Sequence, residues 1–142
     1  MAQKSTFSLE EILPGQDLSW VSPRKKRVYE LISALLGRVY YQVNWHQMST
    51  SKIATDIFEH RIKNSSRKPT VAKFVNKLCN QLSIQALHDE PELILEAEKY
   101  ADEFLDTVRT ESQLCVMLAR RYSQLLREKR KEKQRKAKDD EE

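Results

Sequence analysis

The sequence predicts an all-α fold: a single five-helix bundle with a short N-terminal arm and a charged C-terminal tail that is helical or disordered. Three observations predict it. Apolar residues recur at helical spacing along most of the 142 residues. No stretch shows the alternating pattern of a strand. The only glycines are Gly15 and Gly37, too few for a turn-rich β fold. The length suits about one domain, and 39% apolar content suffices for one modest core. The expected organisation is an arm with a short helix over residues 1–22, a helical bundle over 23–126 and a tail over 127–142.

Ser8-Leu9-Glu10-Glu11 has the form of a capping box and starts one short helical turn, which Pro14-Gly15 ends. From Gly15 to Ser22 the chain reads as a connecting arm in which Leu18, Trp20 and Val21 can dock on the body or on a neighbour. Ser22 caps the first long helix and Pro23 suits its first turn, after which Val28, Leu31, Ile32, Leu35, Leu36, Val39, Tyr40 and Val43 form a wide stripe. Gly37 inside that stripe costs about 1 kcal/mol relative to Ala, which suggests close approach by another helix. Ser49 or Thr50 can cap a second helix carrying Ile53, Ala54, Ile57, Phe58 and Ile62.

A polar, basic turn, Asn64 to Pro69, leads to a third helix from about Thr70, with Val71, Phe74, Val75, Leu78, Cys79 and Leu82 on its buried face. Asp89-Glu90-Pro91-Glu92 reads as the start of a fourth, with a capping side chain and an early proline. It packs through Leu93, Ile94, Ala97, Tyr100, Ala101, Phe104 and Leu105 and ends near Arg109. Thr110 to Gln113 offers another capping box, so a fifth helix starts there with Leu114, Met117, Leu118, Tyr122, Leu125 and Leu126; the alternative is one bent helix. Beyond Leu126 the apolar stripe stops, and a fraying, solvated tail is expected, a weaker polyanion site than a purely basic one because its eight cations face six carboxylates.

Several chemistries are disfavoured by spacing. No Cys pair has zinc spacing, no His pair sits four apart, and His46, His60 and His88 are scattered, so no metal or other cofactor is expected. Cys79 and Cys115 occupy apolar stripe positions and read as buried free thiols, neither disulfide nor nucleophile. An enzyme is the least favoured class. No apolar run approaches the roughly 18 residues of a membrane span, and the polar start lacks a secretory signal, so a cytoplasmic protein without membrane contact is expected.

The strongest functional signal is the layout of charge. Residues 24–77 hold twelve Lys or Arg against Glu30, Asp56 and Glu59, a net of +9. Residues 89–111 hold nine carboxylates against Lys99 and Arg109, a net of −7. Lys25, Lys26 and Arg27 open a helix, where cations oppose the helix dipole, so an external partner is expected for them. Lys63, Arg67 and Lys68 crowd a turn, and Lys73 and Lys77 sit one helical turn apart, where like charges repel. These eight residues are the candidate nucleic-acid site, a sequence-blind contact with phosphate that weakens steeply with salt. Solvated surface lysines are the plain alternative. The carboxylates of the fourth helix, such as the pairs Glu92/Glu96 and Glu98/Asp102, read first as a charged outer face, and otherwise as a dock for a basic neighbour.

Four segments, RVYELISALLGRVYYQVNW, KIATDIFEHRI, KFVNKLCNQ and ESQLCVMLARRYSQLL, spanning about residues 27–126, occur in an order that resembles the small subunit of the type I CRISPR Cascade effector, which corresponds to the C-terminal helical part of the large subunit. The resemblance implies a compact helical bundle present in several copies beside the other Cascade subunits. It implies contact with guide–target duplex or displaced DNA strand, and no catalysis. Base pairing by a guide RNA would supply specificity, leaving this chain to hold backbone charge. It transfers no individual residue. Two other classes compete. A helical adaptor would bind protein through the Leu18-Trp20-Val21 arm and the acidic fourth helix. A helix-turn-helix DNA reader would use the second and third helices, but Val71 to Leu82 lacks an Arg/Asn/Gln-rich recognition face.

Overall fold

The computed structural model describes residues 6–43, 70–87 and 90–141. Among them it contains six helices and no strand: α1 (Leu9–Ile12), α2 (Pro23–Tyr41), α3 (Val71–Gln81), α4 (Pro91–Glu98), α5 (Ala101–Thr110) and α6 (Ser112–Glu141). The all-helical expectation holds. The second helix read over Ile53 to Ile62 lies outside the described residues, as do Lys63, Arg67 and Lys68.

Three helix starts follow the local sequence signals. Ser8 caps α1 in a reciprocal box with Glu11. Ser22 accepts from the Lys25 amide at 3.1 Å with Pro23 at the first position of α2. Thr70 accepts from the Lys73 amide at 3.1 Å at the start of α3. Each side-chain oxygen satisfies an amide that has no partner inside its helix.

α2 is the axis of the fold. Every residue from Val28 to Gly37 is buried, including Glu30 and Ser33, because α1, α3, α4, α5 and α6 all pack around it. A helix surrounded in this way needs apolar residues on nearly all sides, which is what its wide stripe supplies. α4 runs antiparallel to α2, with Arg38 beside Glu90 and Arg27 beside Glu96. α5 crosses near the start of α2, and α6 returns parallel to it, in register from Tyr29 beside Glu111 to Gly37 beside Ser123.

Gly37 marks the closest approach in this packing. A Cβ at this position would lie 2.7 Å from Tyr122 Cβ and 2.9 Å from its Cδ1. Ser123 Oγ donates to the Gly37 carbonyl at 2.7 Å, tying α6 to the α2 backbone. Tyr122 is buried between Phe7, at 5.0 Å and edge-on, and the Arg38 guanidinium, whose carbon lies 5.4 Å from the ring centroid. The close approach read from a lone glycine is therefore present, with α6 as the neighbour.

Three details differ from the sequence reading. The fourth predicted helix is two helices: α4 ends at Glu98, Lys99 and Tyr100 form a tight turn, and α5 begins at Ala101. Nothing local announces the break. It coincides with tertiary demands, since Glu98 turns both carboxylate oxygens to the Val71 and Ala72 amides at the start of α3, at 2.9 and 3.2 Å. Glu90 at the cap position of α4 makes no capping bond and accepts from Arg38 Nε at 2.8 Å instead. Met117, expected on the buried face of the last helix, is exposed, because that face runs through Cys115, Val116, Leu118, Ala119, Tyr122 and Ser123.

The two cysteines are free and buried, as expected. Burial pushes both thiols above their ordinary range, and Cys115, with Glu111 adding to the effect, is pushed up to about 12. A thiol held protonated in this way is a poor nucleophile. Of the arm, Val21 is buried, Leu18 is half-buried against the core and Trp20 is 69% exposed, so two of its three apolar side chains dock on the body of the same chain. The tail is helical: α6 continues without a break to Glu141, and its 30 residues span about 45 Å at the usual helical rise.

Candidate nucleic-acid interface

The eight candidate cations divide into three groups. Lys25, Lys26 and Arg27 are each engaged inside the molecule, Lys63, Arg67 and Lys68 lie outside the described residues, and Lys73 and Lys77 stand exposed on α3.

The first group corrects an expectation. The partners of Lys25, Lys26 and Arg27 are carboxylates of the same chain, several of them brought by the acidic segment. Arg27 grips Glu96 with both Nε and Nη2 at 2.6 Å and donates through Nη1 to Glu30 at 3.0 Å. This fork-on-carboxylate geometry is the strong form of the ion pair, and at 19% side-chain exposure the Arg27 guanidinium is little screened. Glu96, first, and Glu30 hold the Arg27 pKa above its already high value, against the opposing effect of burial. Lys25 Nζ donates to Thr107 Oγ1 at 2.8 Å and to Glu111 Oε2 at 3.3 Å, while Tyr29 donates its hydroxyl to the other oxygen of Glu111 at 2.7 Å. Lys26 pairs with Glu10, and Arg24 pairs with Glu103 while stacking on Tyr100 at 4.9 Å.

These cations sit where the dipole of α2 is unfavourable to them, and the carboxylates of Glu103 and Glu111 close to the same helix start offset both the cations and the dipole. The two opposed blocks of the sequence thus close on each other. The acidic segment does dock a basic neighbour, and that neighbour is α2.

The consequence for the acidic face is equally plain. Glu90, Glu96, Glu98, Glu103 and Glu111 all hold groups of this chain, so several carboxylates read as an outer face or a dock are engaged in folding. The sequence reading did not single out Glu30. Its Oε2 accepts from the Leu9 amide at 2.8 Å while Oε1 takes Arg27, which makes it the joint between α1, α2 and α4. The available signal was that Glu30 is the only carboxylate among the cations from Arg24 to Arg38.

Among the described residues of the basic block, Lys73 and Lys77 are the cations left without an internal carboxylate. By sequence, residues 52–77 carry seven cations against Asp56 and Glu59, a net of +5. Within its described part, Lys73 and Lys77 lie one turn apart on α3, with exposed Asn76 and Asn80 beside them. Neither lysine makes an ion pair with another described residue. The opposite face of α3 is anchored by Phe74, edge-on to Phe104 at 6.0 Å, so the two ammonium groups are presented by a fixed helix.

Among the described residues, no group of three or more His, Cys, Asp or Glu side chains could hold a metal ion, and no helix is long and apolar enough to cross a membrane. Among the described residues, fold and site together define an all-helical body that pairs the cations of α2 internally and exposes Lys73 and Lys77 on α3. No family model, no curated protein and no solved structure matches the chain.

Proposed function

We propose that this protein is a non-catalytic helical subunit that holds nucleic-acid backbone through residues 52–77, and that it does so as the small subunit of a CRISPR RNA-guided surveillance complex in antiviral defence. The observation that carries the binding reading is the pair Lys73 and Lys77, at one-turn spacing on a rigid helix while the cations of α2 are neutralised internally. Like charges at that spacing repel, and phosphate between them removes the repulsion. Lys63, Arg67 and Lys68 precede them in sequence and enlarge the same basic segment. The assignment to a surveillance complex is supported by the resemblance of the helical segments, and an all-helical body among the described residues is compatible with it. In that setting the polymer is displaced DNA strand or guide-containing duplex, the partners are the other subunits and further copies of this chain, and the compartment is the cytoplasm. The adaptor reading is less favoured, since Glu90, Glu96, Glu98, Glu103 and Glu111 hold groups of this chain and Leu18 and Val21 pack on its own body.

The test is a paired purification from the native host at moderate salt. The tagged chain and a variant with Lys63, Arg67, Lys68, Lys73 and Lys77 all changed to Glu are recovered, and the RNA and proteins that accompany each are sized. The expected result is a discrete short RNA with several stoichiometric proteins for the native chain, and loss of nucleic acid for the variant with unchanged helicity. Protein partners without nucleic acid, or equal nucleic acid on both chains, would overturn the reading.

A further inference from the structure

We infer that the C-terminal extension of α6, residues 127–138, is a second, preformed polyanion-binding element that fits the phosphate backbone of a nucleic-acid double helix. Taken as a composition, the tail carries only a small excess of positive charge, because its carboxylates are counted with its cations. The structure changes that reading. Since α6 is one unbroken helix to Glu141, charge is distributed along an axis, and residues 127–138 carry eight cations against Glu128 and Glu132, a net of +6 over about 18 Å. The four carboxylates at residues 139–142 follow this stretch in sequence.

The root of the extension is fixed to the body. The Arg127 guanidinium lies 5.3 Å from the centroid of the Tyr41 ring, Arg130 Nη1 donates to the Tyr41 hydroxyl at 3.3 Å, and Lys129 Nζ lies 5.6 Å from the Phe7 ring. Tyr41 is the last residue of α2, so the extension leaves the bundle from a set position. From Glu128 to Lys133 every side chain is exposed, and no apolar face needs covering. Arg127 and Lys131, and Lys129 and Lys133, are like-charged pairs one turn apart, which repel and which phosphate between them would relieve.

Charge complementarity selects the partner. A membrane-surface helix requires an apolar face, and the only apolar residue from 127 to 142 is Ala137. Single-strand binding relies on aromatic stacking, and the same stretch has no aromatic residue. A straight cationic helix matches the grooves and flanking phosphates of a duplex, where each contact releases counterions. The inference rests on the reading of this chain as a nucleic-acid binder, but it uses residues outside the 52–77 segment.

The experiment measures binding of the full chain to a 20-base-pair DNA duplex across a salt series, beside two variants. One carries Lys129→Gln, Lys131→Gln and Lys133→Gln, which keep good helix formers on exposed positions; the other carries Lys73→Gln and Lys77→Gln. The first variant is expected to lower the slope of log affinity against log salt by about 3, and to bind roughly a hundredfold more weakly at 0.1 M salt, with unchanged helicity. An unchanged slope for that variant, while the Lys73/Lys77 variant loses affinity, would overturn this inference and leave the proposed function standing. No binding of the native chain at low salt would overturn both. Loss of binding to polyglutamate but not to the duplex would assign the extension to an acidic protein instead.

Discussion

Glu30→Ala is expected to destabilise the protein by about 3 kcal/mol, because it removes the joint between three helices at once. The Leu9 amide would be left buried without its acceptor, which alone costs about 1–3 kcal/mol. Arg27 would keep Glu96 but lose the second carboxylate of a site where its own side chain is 19% exposed and that of Glu30 is 11% exposed. Glu30→Gln retains a carbonyl for the Leu9 amide and can no longer offer Arg27 a charge, so it should lose only about 1 kcal/mol. Denaturant titration of the two variants beside Gln113→Ala, an exposed position expected to stay within about 0.5 kcal/mol, provides the comparison. If Glu30→Ala behaves like Gln113→Ala, the carboxylate does not join the three helices.

Gly37→Ala is expected to destabilise by about 1–3 kcal/mol, although helix propensity favours the change by about 1 kcal/mol. The sign is the test. On an open helix face the substitution would raise stability, because alanine restricts the unfolded chain more than glycine does. In this structure the added methyl would meet Tyr122 Cβ at 2.7 Å, an atom next to the α6 backbone that no rotamer change can move away. α2 and α6 would have to separate, and the Ser123 hydrogen bond to the Gly37 carbonyl would lengthen with them. A higher midpoint in thermal or denaturant unfolding would show that these helices do not approach as described.

Features decided within one turn of chain were legible in the sequence. Ser8, Ser22 and Thr70 cap their helices and Pro23 opens α2, because a cap depends on its own residue and the next three. The apolar stripe of α2 was legible for the same reason, and the lone Gly37 correctly suggested a close neighbour. The break at Lys99 and Tyr100 was not, since no glycine or proline marks it and the gain lies in where Glu98 and Tyr100 end up relative to α3 and Arg24. Met117 was misread because, with Leu114 and Leu118 close by, its period fits two neighbouring helix faces equally well.

The charge pattern was half legible. Two opposed blocks are visible in the letters, but the dipole argument assigned Lys25, Lys26 and Arg27 an external partner, whereas their partners are carboxylates of the same chain. That those partners come largely from the other block depends on α4 running antiparallel to α2 and α5 crossing its start, which is tertiary information. An internal carboxylate at 2.6 Å satisfies Arg27 before any external phosphate is needed. Among the described residues, the candidate site consequently contracts to Lys73 and Lys77.

Lysine-acetylation footprinting, read by mass spectrometry with and without nucleic acid, tests this division of labour most directly. Lys73 and Lys77 should react readily in the free protein and become protected when nucleic acid is added, while Lys25 and Lys26, held by Glu111 and Glu10, should react slowly and equally in both samples. Ready reaction of Lys25 and Lys26 in the free protein, with protection on adding nucleic acid and no change at Lys73 and Lys77, would contradict the account.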